Sequence, residues 1–113
     1  MECLFCKILS GAISADIIYQ DDRSVAIRDI YPQAPNHILI LPREHIVSLA
    51  EATKEQLQTV EHLVEVAWQL ARNEKITKTG FRLVTNSGPD GDQVIPHLHF
   101  HLLGGRKLSG QMG

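Results

Sequence analysis

A chain of 113 residues that is 43% hydrophobic and 21% charged is sized for one domain, 1–113, closing its own core without staples. A net charge of −2 with no Lys/Arg run excludes the clustered positive charge by which nucleic-acid partners are held. No apolar stretch approaches the ~20 residues that span a bilayer, Met1-Glu2-Cys3 lacks the regions of a secretory signal, and two cysteines fit a reducing cytoplasm better than a disulfide framework.

Leu4, Phe5, Ile8 and Leu9 recur at helical spacing and Gly11 follows as a stop, predicting a short helix near 3–9. Two short strands, 16–19 and 24–28, flank the polar turn Gln20-Asp21-Asp22-Arg23. Pro32 and Pro35 mark a loop. His37 to Leu41, closed by Pro42, is short and branched, which predicts a buried strand. Thr53-Lys54-Glu55-Gln56 has the form of a capping box. Behind it Leu57, Val60, Leu63, Val64, Ala67, Leu70 and Ala71 repeat at three and four, predicting a helix over 54–73 with one apolar stripe. His62 falls opposite the stripe and is expected in solvent without a role; Trp68, on its flank, is expected in core or interface packing. Strands at 81–85 and 95–103 enclose a turn-rich loop, 86–93. The sum is an α+β fold, a mostly antiparallel sheet of about five strands with one long and one short helix.

The chemistry concentrates in Pro96-His97-Leu98-His99-Phe100-His101-Leu102-Leu103. Strand side chains alternate faces, so the three imidazoles point one way, successive ones about 6–7 Å apart, and Leu98, Phe100 and Leu102 the other. Phosphorus carrying anionic oxygens repels anionic nucleophiles, whereas imidazole, with a pKa of about 6.5, is largely neutral at pH 7. One imidazole can attack and carry a phosphoryl or nucleotidyl group. A neighbour can give a proton to the leaving group, and others can bind the equatorial oxygens. A zinc site built from two or three of these histidines is the alternative. The preceding Asn86-Ser87-Gly88-Pro89-Asp90-Gly91-Asp92-Gln93 has the glycines of a backbone anion cradle.

The motif His97-Leu98-His99-Phe100-His101-Leu102-Leu103 resembles the signature of the histidine triad superfamily. Asp29 to His37, Leu41 to Ile46, Asn86 to Gln93 and Gly104-Gly105-Arg106 are similar to its other segments, so nearly the whole chain is covered, most like the small Hint-like nucleotide-binding phosphoramidases. The resemblance implies a purine nucleoside phosphoramidase, or more broadly a nucleotidyl hydrolase, acting on AMP- or GMP-type ligands without a catalytic metal. Its implied nucleophile is His99, with His101 assisting the leaving group and His37 completing the cluster. Asn86 and Gln93 would hold the phosphate and leaving-group side, Asp29 the ribose hydroxyls, and Phe5, Ile8, Ile27 and Ile30 the purine. A homodimer with a sheet continuous across its interface is implied too. Alternatives are a dinucleoside polyphosphate hydrolase or a nucleotide-binding regulatory protein with little catalysis.

Departures bear on rate and leaving group. Val94 stands where many such proteins have serine, Asp92 where glycine is common, and Leu108 to Gly113 in place of a Trp-Pro-Pro-Gly tail. Cys3-Leu4-Phe5-Cys6 reads alone as zinc, redox or neither. A redox pair would open a helix in a βαβ pattern, which is not predicted. A closed zinc site needs four ligands, and the resemblance supplies His45 and His97. The expected zinc is structural, pinning the N-terminal helix to the sheet.

Overall fold

A computed structural model describes residues 3–111. Met1-Glu2, read above against a secretory signal, and Met112-Gly113, the end of the atypical tail, lie outside the described residues. The elements are α1 (Leu4–Leu9), β1 (Ile17–Gln20), β2 (Ser24–Arg28), β3 (Asn36–Pro42), α2 (Leu57–Asn73), β4 (Phe81–Val84) and β5 (Phe100–Gly104). The five strands form one sheet in the order β1-β2-β3-β5-β4, every pair antiparallel. This is the expected α+β class. None of the described helices is long and apolar enough to cross a membrane.

Strand periodicity divides the core into two layers. Ala26, Ile38, Ile40, Phe100 and Leu102 face α2 and meet Leu63, Val66, Ala67, Leu70 and Ala71. Their neighbours Val25, Ile27, Leu39 and Leu41 face the other way and meet Phe5 and Ile8 of α1. β3 is buried almost throughout because both of its faces are covered. The pairings Leu39↔His101 and His37↔Leu103 set the histidines of β3 and β5 on the α1 face.

The largest difference from the predicted elements lies before β5. Regular pairing begins at Phe100 rather than 95. Pro96 has no N–H for a ladder; the His97 N–H bonds the Ile95 carbonyl (2.8 Å) and the Leu98 N–H the Ile46 carbonyl (2.6 Å). His97 and His99 therefore sit on an irregular approach to the strand, not on the strand. At the end of β4, the Thr85 hydroxyl donates to the His99 carbonyl (2.7 Å).

On α2 one reading needs correction, and another keeps only its interface alternative. His62 is not an idle solvent residue: its Nε2 lies 2.8 Å from Asp21 Oδ2 and 3.4 Å from Ser24 Oγ. Asp21 also accepts the backbone N–H groups of Arg23 (2.8 Å) and Ser24 (2.7 Å), shaping the β1–β2 turn. Trp68 is 55% exposed, with the Arg72 guanidinium 5.0 Å from its ring centroid, so it is not core. The capping box forms as expected: the Thr53 N–H donates to Gln56 Oε1 (2.9 Å) and the Gln56 N–H to Thr53 Oγ1 (3.1 Å), although regular helix starts only at Leu57.

Candidate active site and metal-ligand cluster

Three imidazoles of the α1 face meet where β3 and β5 run side by side, and hydrogen bonding fixes what each presents. His99 Nδ1 lies 2.7 Å from the His97 carbonyl. A carbonyl only accepts, so the proton sits on Nδ1 and Nε2 keeps its lone pair. The ring is buried, with the Phe5 ring edge-on at 4.9 Å between centroids. Burial, opposed by that hydrogen bond and by the Asp29 charge, pushes its pKa down and so favours the neutral ring.

His37 and His101 form a pair. The Gln33 N–H donates to His37 Nδ1 (3.0 Å), so the His37 proton is on Nε2. That Nε2–H donates to His101 Nδ1 (2.9 Å), which leaves the His101 proton on its own Nε2. Adjacent imidazoles thus show opposite faces: a lone pair on His99 and an N–H on His101, their ring centroids 5.1 Å apart. Burial, then the neighbouring His99 and His37, lower the His101 pKa to about 4. Burial also lowers that of His37, partly offset by Asp29, whose Oδ2 is 3.5 Å from His37 Nε2.

Two clefts meet here. One, of about 250 Å³, is lined by His99, His101, Asn86, Asp92, Val94 and Asp29 among others. The second, of about 370 Å³, is mainly apolar and shares Phe5, Asp29, Leu39 and Ile95 with the first. Of the residues expected to form a base slot, Phe5, Ile8 and Ile27 make its buried floor, and Ile30, 79% exposed, stands at its rim. Ile13, Ala15 and Leu39 also line it. Alternation along β3 signals Leu39, but nothing local signals the other two, which arrive through the α1–β1 connection. Asp29 lies at the junction, its Oδ1 accepting the Tyr31 N–H (2.7 Å).

The loop 86–93 is tied together by its own side chains. Asn86 Nδ2 donates to the Gly91 carbonyl (2.7 Å) while the residue also lines the histidine cleft. Gln93 accepts the Gly88 N–H (2.9 Å) and donates to the Val47 (2.7 Å) and Ile95 (3.0 Å) carbonyls. Those bonds occupy Gln93 in shaping the loop, and it is not on the cleft wall. Gly91 permits the turn, since a Cβ there would come within 2.6 Å of the Ser87 carbonyl oxygen. Val94, 82% exposed, and Asp92, at φ 59°, flank the opening.

On the other side of Phe5, Cys3, Cys6, His45 and His97 converge. Cys3 Sγ–Cys6 Sγ is 3.4 Å, His45 Nδ1–His97 Nδ1 is 3.1 Å, and the four S–N distances run from 3.2 to 3.8 Å. Zinc bonds of about 2.3 Å to sulfur and about 2.0–2.1 Å to nitrogen give tetrahedral edges of about 3.8, 3.3 and 3.6 Å respectively. The donor atoms thus form a tetrahedron within a few tenths of an ångström of zinc's. His97 Nε2 lies 2.9 Å from the Pro42 carbonyl, which puts its proton there and turns the Nδ1 lone pair to the cluster. A second group, Asp29, His37 and His101, also brings ligand-type atoms together. It does not suit a metal: binding at His37 Nε2 would move that ring's proton to Nδ1, against the Gln33 N–H. It is a hydrogen-bond relay.

A five-stranded α+β sheet carrying a layer of hydrogen-bonded histidines on one face defines a histidine triad protein. The HIT domain family model matches residues 10–108, and the chain belongs to that family. It is 46% identical over 108 residues to an uncharacterized HIT-like protein of Synechococcus elongatus, covering 96% of this chain and 94% of that one. It is 44% identical over 107 residues to the purine nucleoside phosphoramidase of Escherichia coli K12, covering 95% and 90%. Among solved structures it resembles a HIT family hydrolase from Legionella pneumophila, with a TM-score of 0.96, 39% identity and coverage of 99% and 100%. A histidine triad protein from Clostridium difficile gives 0.95, with 40% identity and coverage of 99% and 97%.

Proposed function

We propose that this chain is a purine nucleoside phosphoramidase that cleaves at the α-phosphorus through a nucleotidyl-His99 intermediate. The observation that carries the reading is the His99–His97 carbonyl bond, which aims an Nε2 lone pair at the cleft beside the His101 Nε2–H. The apolar cleft takes the purine, Asp29 at the junction takes the ribose hydroxyls, and Asn86 with the loop backbone holds the phosphate. The name of the Escherichia coli relative supports the substrate class.

His99 Nε2 forms a bond to phosphorus as the P–N bond to the leaving amine breaks. The amine takes the His101 Nε2 proton, and His37 passes its own Nε2 proton to His101 Nδ1. The positive charge that His99 acquires offsets the negative charge left on the His37–His101 pair, 5.1 Å away between the His99 and His101 rings. Water then bonds to phosphorus, returns a proton through His101, and displaces His99 Nε2, releasing the nucleoside monophosphate. Cys3, Cys6, His45 and His97 would hold a structural zinc that supplies a rigid cross-link between α1 and the approach to His99.

The test is hydrolysis of adenosine 5′-phosphoramidate by the wild type and by His99→Ala. We expect AMP release by the wild type and a loss of at least about 10³-fold in the variant. Turnover persisting in His99→Ala contradicts the assignment of the nucleophile. Val94 and Asp92 at the opening favour a second reading, nucleotide binding with little turnover; tight AMP binding without hydrolysis of any phosphoramidate would establish it.

A further inference from the structure

The His37–His101 relay is useful only if the His37 proton stays on Nε2; the Asp29 carboxylate 3.5 Å from Nε2 favours it there, and the group that occupies Nδ1 and so bars the other tautomer is one backbone N–H, that of Gln33. Gln33 sits in an exposed loop between Pro32 and Pro35. Such a segment, outside any ladder, has few bonds of its own to fix it. Its carbonyl, however, is gripped from the far end of the chain: Arg106 donates to it from both Nε (3.2 Å) and Nη2 (2.7 Å). The third arm of the guanidinium, Nη1, donates to the Lys107 carbonyl (2.9 Å), locking the side chain against its own backbone.

The chain is bent to make this reach. Gly105 has φ +94°, and a Cβ there would stand 3.0 Å from Pro35 Cβ and 3.3 Å from Asn36 Nδ2. Only glycine adopts that conformation at low cost while letting the chain lie against the loop. Farther on, Arg82 of β4 donates to the Ser109 carbonyl (2.6 Å), fixing the segment that follows.

We infer that Arg106 is a positioning residue for the reaction: by holding the Gln33 carbonyl it keeps the Gln33 N–H on His37 Nδ1, and so sets the tautomer of His37 and the proton that His101 offers to the leaving group. The inference of a kinetic effect rests on the phosphoramidase reading; the tautomer itself does not. Arg106 touches no substrate. Lysine would replace its charge but not its two-pronged grip on one carbonyl.

Nitrogen-15 spectra of histidine-labelled protein at neutral pH report imidazole tautomers without substrate. The wild type should show His37 with Nε2 protonated and Nδ1 accepting. Arg106→Ala should shift His37 toward a mixture and lower kcat on a phosphoramidate about tenfold, with KM within about threefold. Arg106→Lys should recover part of both, and Lys107→Ala should change neither. Gln33→Pro, which deletes the N–H itself, should produce the same tautomer change, and adding Arg106→Ala to it should cost little more. A His37 that keeps one Nε2–H tautomer in Arg106→Ala overturns the inference, whatever the activity. Altered tautomers with unchanged kcat would overturn the kinetic part and leave the hydrolase reading standing. Absence of wild-type hydrolysis with altered tautomers would overturn that reading and the kinetic part, and keep the structural link.

Discussion

His99 and His101 carry the same side chain two positions apart, yet their partners give them opposite chemistry at the atom facing the cleft. A carbonyl against Nδ1 leaves one with a free Nε2 lone pair, and an N–H against Nδ1 leaves the other with an Nε2–H to give. Both must be neutral to work in this way. Burial holds the His101 pKa at about 4, below the 6.5 of a free imidazole, so its working form persists well into the acid range. Burial lowers the pKa of His99 and His37 as well, so the acid-side fall of kcat/KM should lie below pH 6.5. A pH–rate profile inflecting at the ordinary histidine value would contradict this. At this scale the sequence was informative about identity and poor about geometry. The spacing of His97, His99 and His101 announced the cluster. That His97 turns away to the cysteines follows from Pro96 and the Ile46–Leu98 bond, which no local pattern signals.

At the scale of elements, α2 is joined to the β1–β2 turn through the His62–Asp21 pair, on the opposite side of the molecule from α1. Asp21 gathers Tyr19, Arg23, Ser24 and His62, and those hydrogen bonds outweigh partial burial and hold its carboxyl well below the usual carboxylate range. Truncation by His62→Ala removes one partner from a half-buried carboxylate and should cost about 1–2 kcal/mol. Because the folded-state pKa of Asp21 is depressed, its contribution is present above the unfolded value and is lost as pH falls. The difference between wild type and His62→Ala, read by denaturant unfolding at pH 7, should be measurable; coincident curves would contradict a stabilising role for the His62–Asp21 pair. The helix's 3.6-residue stripe made α2 legible to within a turn. His62 was misjudged because a stripe records only the core, whereas Asp21 comes to meet the helix from 41 residues away in sequence.

Across the whole molecule, the N-terminal cysteines and His97 are 91 to 94 residues apart in the chain. A zinc ion at Cys3, Cys6, His45 and His97 would therefore close most of the chain, and Phe5, between the two cysteines in sequence, would be held as the wall between the metal and His99. We expect purified protein to contain about one zinc per chain, and chelation to lower its Tm by several degrees. Metal-free protein with an unchanged Tm would contradict the site. The fold class was legible from periodicity and breakers, and the family from the histidine motif. The clefts were not, because they exist only where α1, the β2–β3 connection and the loop 86–93 meet. The proposed covalent step at His99 is open to direct measurement. The most direct measurement is rapid quenching of the wild type with adenosine 5′-phosphoramidate, followed by mass spectrometry of the peptide spanning 97–103. An adenylyl group on His99 that forms and decays with AMP release is the predicted result. AMP release at full rate with that peptide unmodified at every time point would contradict it.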